Sequence, residues 1–142
     1  MAVRTSEAEW QGALKDGKGI MKLGSGAFHG AYSFSSRFEE GTCTNPEELI
    51  GAAHAGCFSM AFANILAKAG FKPKRIRTVA KVHLEKVGEG FKITHIDLST
   101  EGDVAGIDKD TFLQHAEQAK KGCPVSQALG AVEIRMDAKL AG

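Results

Sequence analysis

From Leu49 to Ala67 the chain runs for 19 residues without a formal charge. Nothing else in the sequence constrains the fold as tightly. A stretch of that length is too long for an ordinary strand and could just span a bilayer. Its apolar load is weak, however: His54, Ser59, Asn64, Gly51 and Gly56 interrupt it, and alanine supplies much of the remainder. A helix that is apolar on nearly all sides is also what the buried centre of a soluble protein requires. We therefore expect a central helix in a water-soluble protein, not a membrane anchor.

The start of this helix can be read in "TCTNPEELIG". Thr44 with Glu47 fits a capping box, and Asn45 as cap with Pro46 at the first helical position fits equally well. Gly70, followed by Pro73, predicts its end. Upstream, "AEWQGAL", "GKGIMKL" and "AYSFSSRFEE" predict three short strands in a meander. Alternation in the third would put Ser35 and Arg37 on the face opposite Phe34. Downstream, "RIRTVAKVHLEKV" and "FKITHIDLSTEG" predict two strands joined by a turn at 88–90. "DKDTFLQHAEQAKKG" predicts a helix capped by Asp108 or Asp110, with Lys120 and Lys121 suiting its C-terminal dipole. "CPVSQALG" reads as a short helical piece and "AVEIRMDAKL" as a last strand with Val132, Ile134 and Met136 on one face. The order is that of an α+β fold in a single domain, residues 1–142, with no internal repeat.

The 142 residues are enough to bury a core without disulfide staples. A formal net charge of +1, with Lys and Arg spread along the chain, gives no reason to expect nucleic acid or an anionic membrane as partner. The N-terminus lacks the pattern of a secretory signal, so a cytoplasmic, reducing compartment is expected. Three cysteines, Cys43, Cys57 and Cys123, are too few and too dispersed for a secreted disulfide framework. Packing, metal ligation or redox chemistry are the alternatives.

Cys57 lies mid-helix and can be read as a small buried hydrophobe. Gly51 and Gly56 beside it each cost about 1 kcal/mol of helix propensity, which suggests that another backbone or a substrate comes close. Cys123 precedes Pro124 and so falls at the cap of a helix, where unpaired N–H groups favour a thiolate. His54 and Cys57, three residues apart, could begin a metal site with Cys123 or His115, but one such pair is weak. Cys43 carries no assigned role. A peroxide-reducing thiol would need a nearby cation and a second thiol to condense with its sulfenic acid. Arg37 is the candidate cation and Glu47 the carboxylate to orient it.

With these four residues in place, "RFEEGTCTNPEELIGAAHAGCFSMAFA" and "AGIDKDTFLQHAEQAKKGCPVSQAL", with "VHLEKVGEGFKITHI" between them, resemble the OsmC/Ohr family of thiol peroxidases over essentially the whole chain. The likeness is strongest to the OsmC branch, the osmotically inducible proteins. It implies antiparallel sheets around a long central helix, an intertwined homodimer, and no metal or flavin cofactor. It also implies reduction of organic hydroperoxides, with Cys57 as peroxidatic thiol and Cys123 as resolving thiol. Arg37 would be the activating guanidinium, Glu47 its partner, and a dithiol of lipoyl type the reductant. Two departures stand out: Gly56 replaces the usual alanine before the cysteine, and Cys43 matches no functional position. Hydrogen peroxide as substrate, or a binding protein with structural thiols, are the rival readings.

Glu47 and Cys57 are ten residues apart, which on one straight helix is about 15 Å of rise and about 80° of rotation. They cannot meet along one continuous helix. The expectation is that the central helices of two chains pack together, Gly51 and Gly56 permitting the approach, so that Arg37 and Glu47 of one subunit serve Cys57 of the other.

Overall fold

A computed structural model describes residues 1–142. The elements in chain order are β1 (Ser6–Gln11), β2 (Lys18–Leu23), β3 (His29–Tyr32), α1 (Phe34–Phe38), α2 (Pro46–Lys68), β4 (Pro73–Val87), β5 (Gly90–Val104), α3 (Lys109–Gly122), α4 (Pro124–Ala128) and β6 (Glu133–Leu140). The chain divides into a unit of Met1–Leu49 and a unit of Ile50–Gly142, with α2 starting in the first and ending in the second.

In the first unit, β1, β2 and β3 form an antiparallel sheet in that order. The expected third strand does not run on through Ser36 and Arg37. It stops at Tyr32, and α1 begins, because Ser33 and Ser36 form a reciprocal cap. Ser36 N–H donates to Ser33 Oγ at 3.1 Å and Ser33 N–H to Ser36 Oγ at 2.8 Å. Two donors satisfied locally outweigh the apolar alternation of a strand with no further partner.

The start of α2 resolves the choice of cap. Asn45 Oδ1 accepts from Glu48 N–H at 2.7 Å, with Pro46 at the first helical position. The helix ends as expected before Gly70, whose φ of +93° closes it in the left-handed region. By length and composition, with a mean hydropathy of 1.5 over its most apolar 18 residues, it could cross a membrane. Yet one face, comprising His54, Phe58, Phe62 and Leu66, is completely buried in protein. Those residues recur every fourth position, as one stripe of a helix requires. The opposite face, with Ala52, Ala53, Gly56 and Ala67, is exposed, and Met60 on it is 77% exposed.

In the second unit, β4 and β5 make a long antiparallel hairpin whose turn is Gly88–Glu89. β6 then pairs with β5 in parallel, so this sheet is mixed and not antiparallel throughout. A parallel neighbour needs a crossover, and α3 with α4 supplies it. Asp108 caps α3 by accepting from Thr111 N–H at 3.0 Å. The core joins α2, α3 and the sheet, with ring contacts Phe58–Phe62 at 5.7 Å and Phe62–Phe112 at 5.1 Å. Gly102 of β5 lies under Phe112: a Cβ there would come within 2.7 Å of the ring.

Candidate functional site

Arg37 sits in the last turn of α1, and Glu47 in the first turn of α2. The loop between them is pinned at both ends. Ser36 Oγ donates to the Thr44 carbonyl at 2.8 Å, Asn45 Nδ2 to the Ser36 carbonyl at 3.0 Å, and Thr44 N–H to the Ala31 carbonyl at 3.1 Å. So held, Arg37 forks onto Glu47, with Nη2 2.8 Å and Nε 3.1 Å from Oε1, and Nε 3.3 Å from Oε2. Glu47 is buried and lies at the positive end of the α2 dipole. The pair uses the Nε–Nη2 edge of the guanidinium and leaves Nη1 outside it. The Arg37 guanidinium also lies 5.2 Å from the Phe38 ring, and the two bound a recess of about 190 Å³ lined by Trp10, Leu14, Tyr32 and Phe34.

The thiols form a second pair. Cys57 on α2 and Cys123, the N-cap of α4, are both free, and Cys123 is close enough to act on the titration of Cys57. Burial pushes the Cys57 thiol up from its ordinary value, and the nearby Cys123 pushes it the same way; Val125 N–H, donated from the first turn of α4, pulls it down. The first turn of α4 therefore acts on Cys57 as well as holding Cys123. Cys123 Sγ accepts from Ser126 N–H at 3.4 Å, while Val125 N–H of the same turn acts on Cys57. Cys123 is wholly buried and Cys57 is only partly so. Cys43 is exposed, with a φ of +81°, in the loop that joins α1 to α2.

Sequence reasoning linked His54 to the thiols only as a possible metal ligand and did not single out Ser126; hydrogen bonds join both to Cys123. Cys123 Sγ–H donates to Ser126 Oγ at 3.1 Å, and Ser126 Oγ lies 2.7 Å from His54 Nε2. His54 and Ser126 are both buried, and His54 Nδ1 has no hydrogen-bond partner. The available signal was spacing: His54 precedes Cys57 by three residues on one helix, and Ser126 follows Cys123 by three on another.

His54, Cys57, Cys123 and His115 do not gather into a cluster of three ligand atoms. His54 Nε2 is taken by Ser126, and His115 Nδ1 meets Gln118 Oε1 at 3.1 Å. A separate cluster on the β4–β5 ribbon, His83, His95 and Asp97, brings three potential ligand atoms within 4.8 Å of one another. Its two rings stack at 3.9 Å and 15°. Asp97 Oδ2 is 2.8 Å from His83 Nε2, an ordinary hydrogen-bond distance.

Of the two glycines expected to admit a second chain, Gly51 is covered by its own: a Cβ there would touch Val82 and Ala80 of β4 at 3.5–3.8 Å. Gly56 has open space around it. Helix α2 is continuous from Pro46 to Lys68, with Glu47 in its first turn and Cys57 in its middle.

Residues 39–137 match the family described as OsmC-like protein. The chain is 51% identical over 138 residues to "Peroxiredoxin OsmC" of Escherichia coli strain K12, covering 96% of both chains, and equally so to the protein of that name from Shigella flexneri. Among solved structures it is similar to an organic hydroperoxide resistance protein from Elizabethkingia anophelis, at a TM-score of 0.76 and 22% identity over 99% of both chains. It is also similar to OhrB of Bacillus subtilis, at a TM-score of 0.75 and 22% identity over 95% of this chain and 98% of that one. These last two likenesses speak for the fold. The first two, over nearly the full length, fix the lineage: the chain belongs to the OsmC-like protein family.

Proposed function

We propose that this protein is a cysteine-based peroxidase that reduces organic hydroperoxides to alcohols in the cytoplasm. The observation that carries the reading is the pair of free, interacting thiols, Cys57 partly exposed and Cys123 buried behind it. An exposed thiol that can reach peroxide, backed by a sheltered one that can reach its sulfur, is what a two-step thiol peroxidase needs. The names of the relatives at 51% identity point the same way.

The Cys57 thiolate attacks the distal peroxide oxygen, the O–O bond breaks, and the alkoxide leaves to take up a proton as alcohol. Cys123 then attacks the Cys57 sulfenic acid, its S–O bond breaks, water departs and a disulfide forms. An external dithiol, of lipoyl type, reduces the disulfide by exchange. Within its own environment the Cys57 thiol is held above its ordinary value, so the attacking thiolate needs a cation. Arg37, fixed by Glu47, supplies it and steadies the departing alkoxide through its open Nη1 edge. The aromatic recess beside Arg37 suits an alkyl or aryl group, which favours organic hydroperoxides over hydrogen peroxide.

The protein acts as an intertwined homodimer, Arg37 and Glu47 of one chain serving Cys57 of its partner. The exposed apolar face of α2 around Met60 and the open space at Gly56 support this reading, as does the rise between Glu47 and Cys57.

One equivalent of cumene hydroperoxide added to reduced protein should consume two thiols per chain. Cys57→Ser should lose steady-state turnover with a dithiol by at least three orders of magnitude. Cys123→Ser should consume peroxide once and then stall as the sulfenic acid. No rapid loss of thiols would overturn the reading, as would full turnover by Cys57→Ser.

A further inference from the structure

We propose that His54, acting through Ser126, is a proton-accepting positioning residue for Cys123 in the disulfide-forming step. This rests on the peroxidase reading above and assigns two residues that the reading leaves unused.

The geometry is a chain of two hydrogen bonds, in which His54 Nε2 is the acceptor when the ring proton sits on Nδ1. Cys123 Sγ–H donates to Ser126 Oγ at 3.1 Å, and the hydroxyl lies 2.7 Å from His54 Nε2. A hydroxyl held between a thiol and an imidazole can take a proton on one side while giving its own on the other. All three groups are buried, so bulk water does not readily reach the Cys123 thiol to deprotonate it. A thiol in that position resolves a sulfenic acid slowly unless a built-in acceptor removes its proton, because the thiolate is the nucleophile. His54 is the imidazole connected to it. Burial lowers its affinity for a proton, with no charged group contributing, so it is neutral and able to accept at physiological pH. The titratable groups at the other end of the chain are the two thiols themselves.

The step balances. The Cys123 proton passes to Ser126 Oγ as the hydroxyl proton passes to His54 Nε2. The Cys123 thiolate attacks Cys57 Sγ, an S–S bond forms, and the S–O bond breaks. The departing hydroxide becomes water by taking the proton that His54 releases. Sulfur in Cys57 is reduced as sulfur in Cys123 is oxidised, with no outside oxidant. Ser126 N–H, 3.4 Å from Cys123 Sγ, steadies the thiolate meanwhile. Run backward, the same relay protonates Cys123 when a dithiol attacks Cys57 and Cys123 is the leaving thiol.

The test follows disulfide formation by stopped flow after one equivalent of cumene hydroperoxide, across pH 6–9, in wild type, His54→Asn, Ser126→Ala and Ser126→Thr. The expected result at pH 7 is a slowing of at least tenfold in His54→Asn and in Ser126→Ala. That deficit should shrink toward pH 9, where the higher hydroxide concentration lets transient opening of the site remove the proton in place of the relay. Ser126→Thr, which keeps the hydroxyl, should recover most of the rate, and the double variant His54→Asn/Ser126→Ala should be no slower than either single one. A wild-type rate in both single variants would overturn the proposal. So would a deficit that is constant across pH, or one that Ser126→Thr fails to rescue, since either marks a packing role. Should wild type itself form no disulfide, it is the peroxidase reading that fails.

Discussion

His54 takes a proton less readily in the folded chain than in the unfolded one, because burial disfavours the imidazolium. The unfolded chain binds that proton near pH 6.5, so below this value it holds more protons than the folded state and stability falls with pH. The contribution is fully present above about pH 6.5 and is lost as pH falls from there through the folded value. Thermal melts of wild type should therefore decline on acidification through this window, and His54→Gln should show a shallower decline. Equal slopes in the two proteins would place the acid sensitivity elsewhere. At this scale the sequence was informative where chemistry is local. Arg37 and Glu47 could be paired on paper because a guanidinium needs a carboxylate, and both thiols announced themselves. The role of His54 was illegible, since its meaning depends on a hydroxyl 72 residues further on. Only folding makes them neighbours.

Helix α2 owes its beginning to one side chain. Asn45 caps it through Glu48 N–H and at the same time reaches back to the Ser36 carbonyl, so that one residue fixes both the helix start and the turn carrying Arg37. Asn45→Ala should cost about 1 kcal/mol of stability as a lost cap, seen as a lower midpoint in urea with unchanged slope. Activity should fall by more than that stability loss explains, because Arg37 is no longer held against Glu47. Elements with strong end signals were readable: α2 between Pro46 and Gly70, α3 from Asp108, and the β4–β5 hairpin with its glycine turn. The failure came at "YSFSSRF", where alternation resembles a strand and a serine pair closes a helix instead. The parallel register of β6 was also hidden, because a strand's own residues do not record which neighbour a crossover will bring it to.

For the whole molecule, the question is how many chains make one site. A homodimer that shares residues across its two-fold axis allows complementation between two inactive variants. Arg37→Ala and Cys57→Ser chains, mixed at equal amounts, unfolded together and refolded, should regain about a quarter of wild-type peroxidase activity: about half the dimers are mixed, and each has one intact site. If Arg37 served the Cys57 of its own chain, the mixture would stay as inactive as its parents. Met60→Glu, placing a charge on the exposed apolar face of α2, should shift the protein toward monomer in sedimentation velocity.

The crossover that returns the chain to β6 has one more effect. It carries Cys123 far along the sequence from Cys57, so a bond between the thiols closes a loop of about 66 residues and should stabilise the fold by about 4 kcal/mol. By mass action, the fraction of molecules transiently open to a protease should drop roughly a thousandfold on oxidation. Reduced protein should be digested in a pulse of thermolysin at a urea concentration that oxidised protein survives. Peroxide exposure would then be written into turnover: the molecules that have just reacted are those the cell's proteases degrade last.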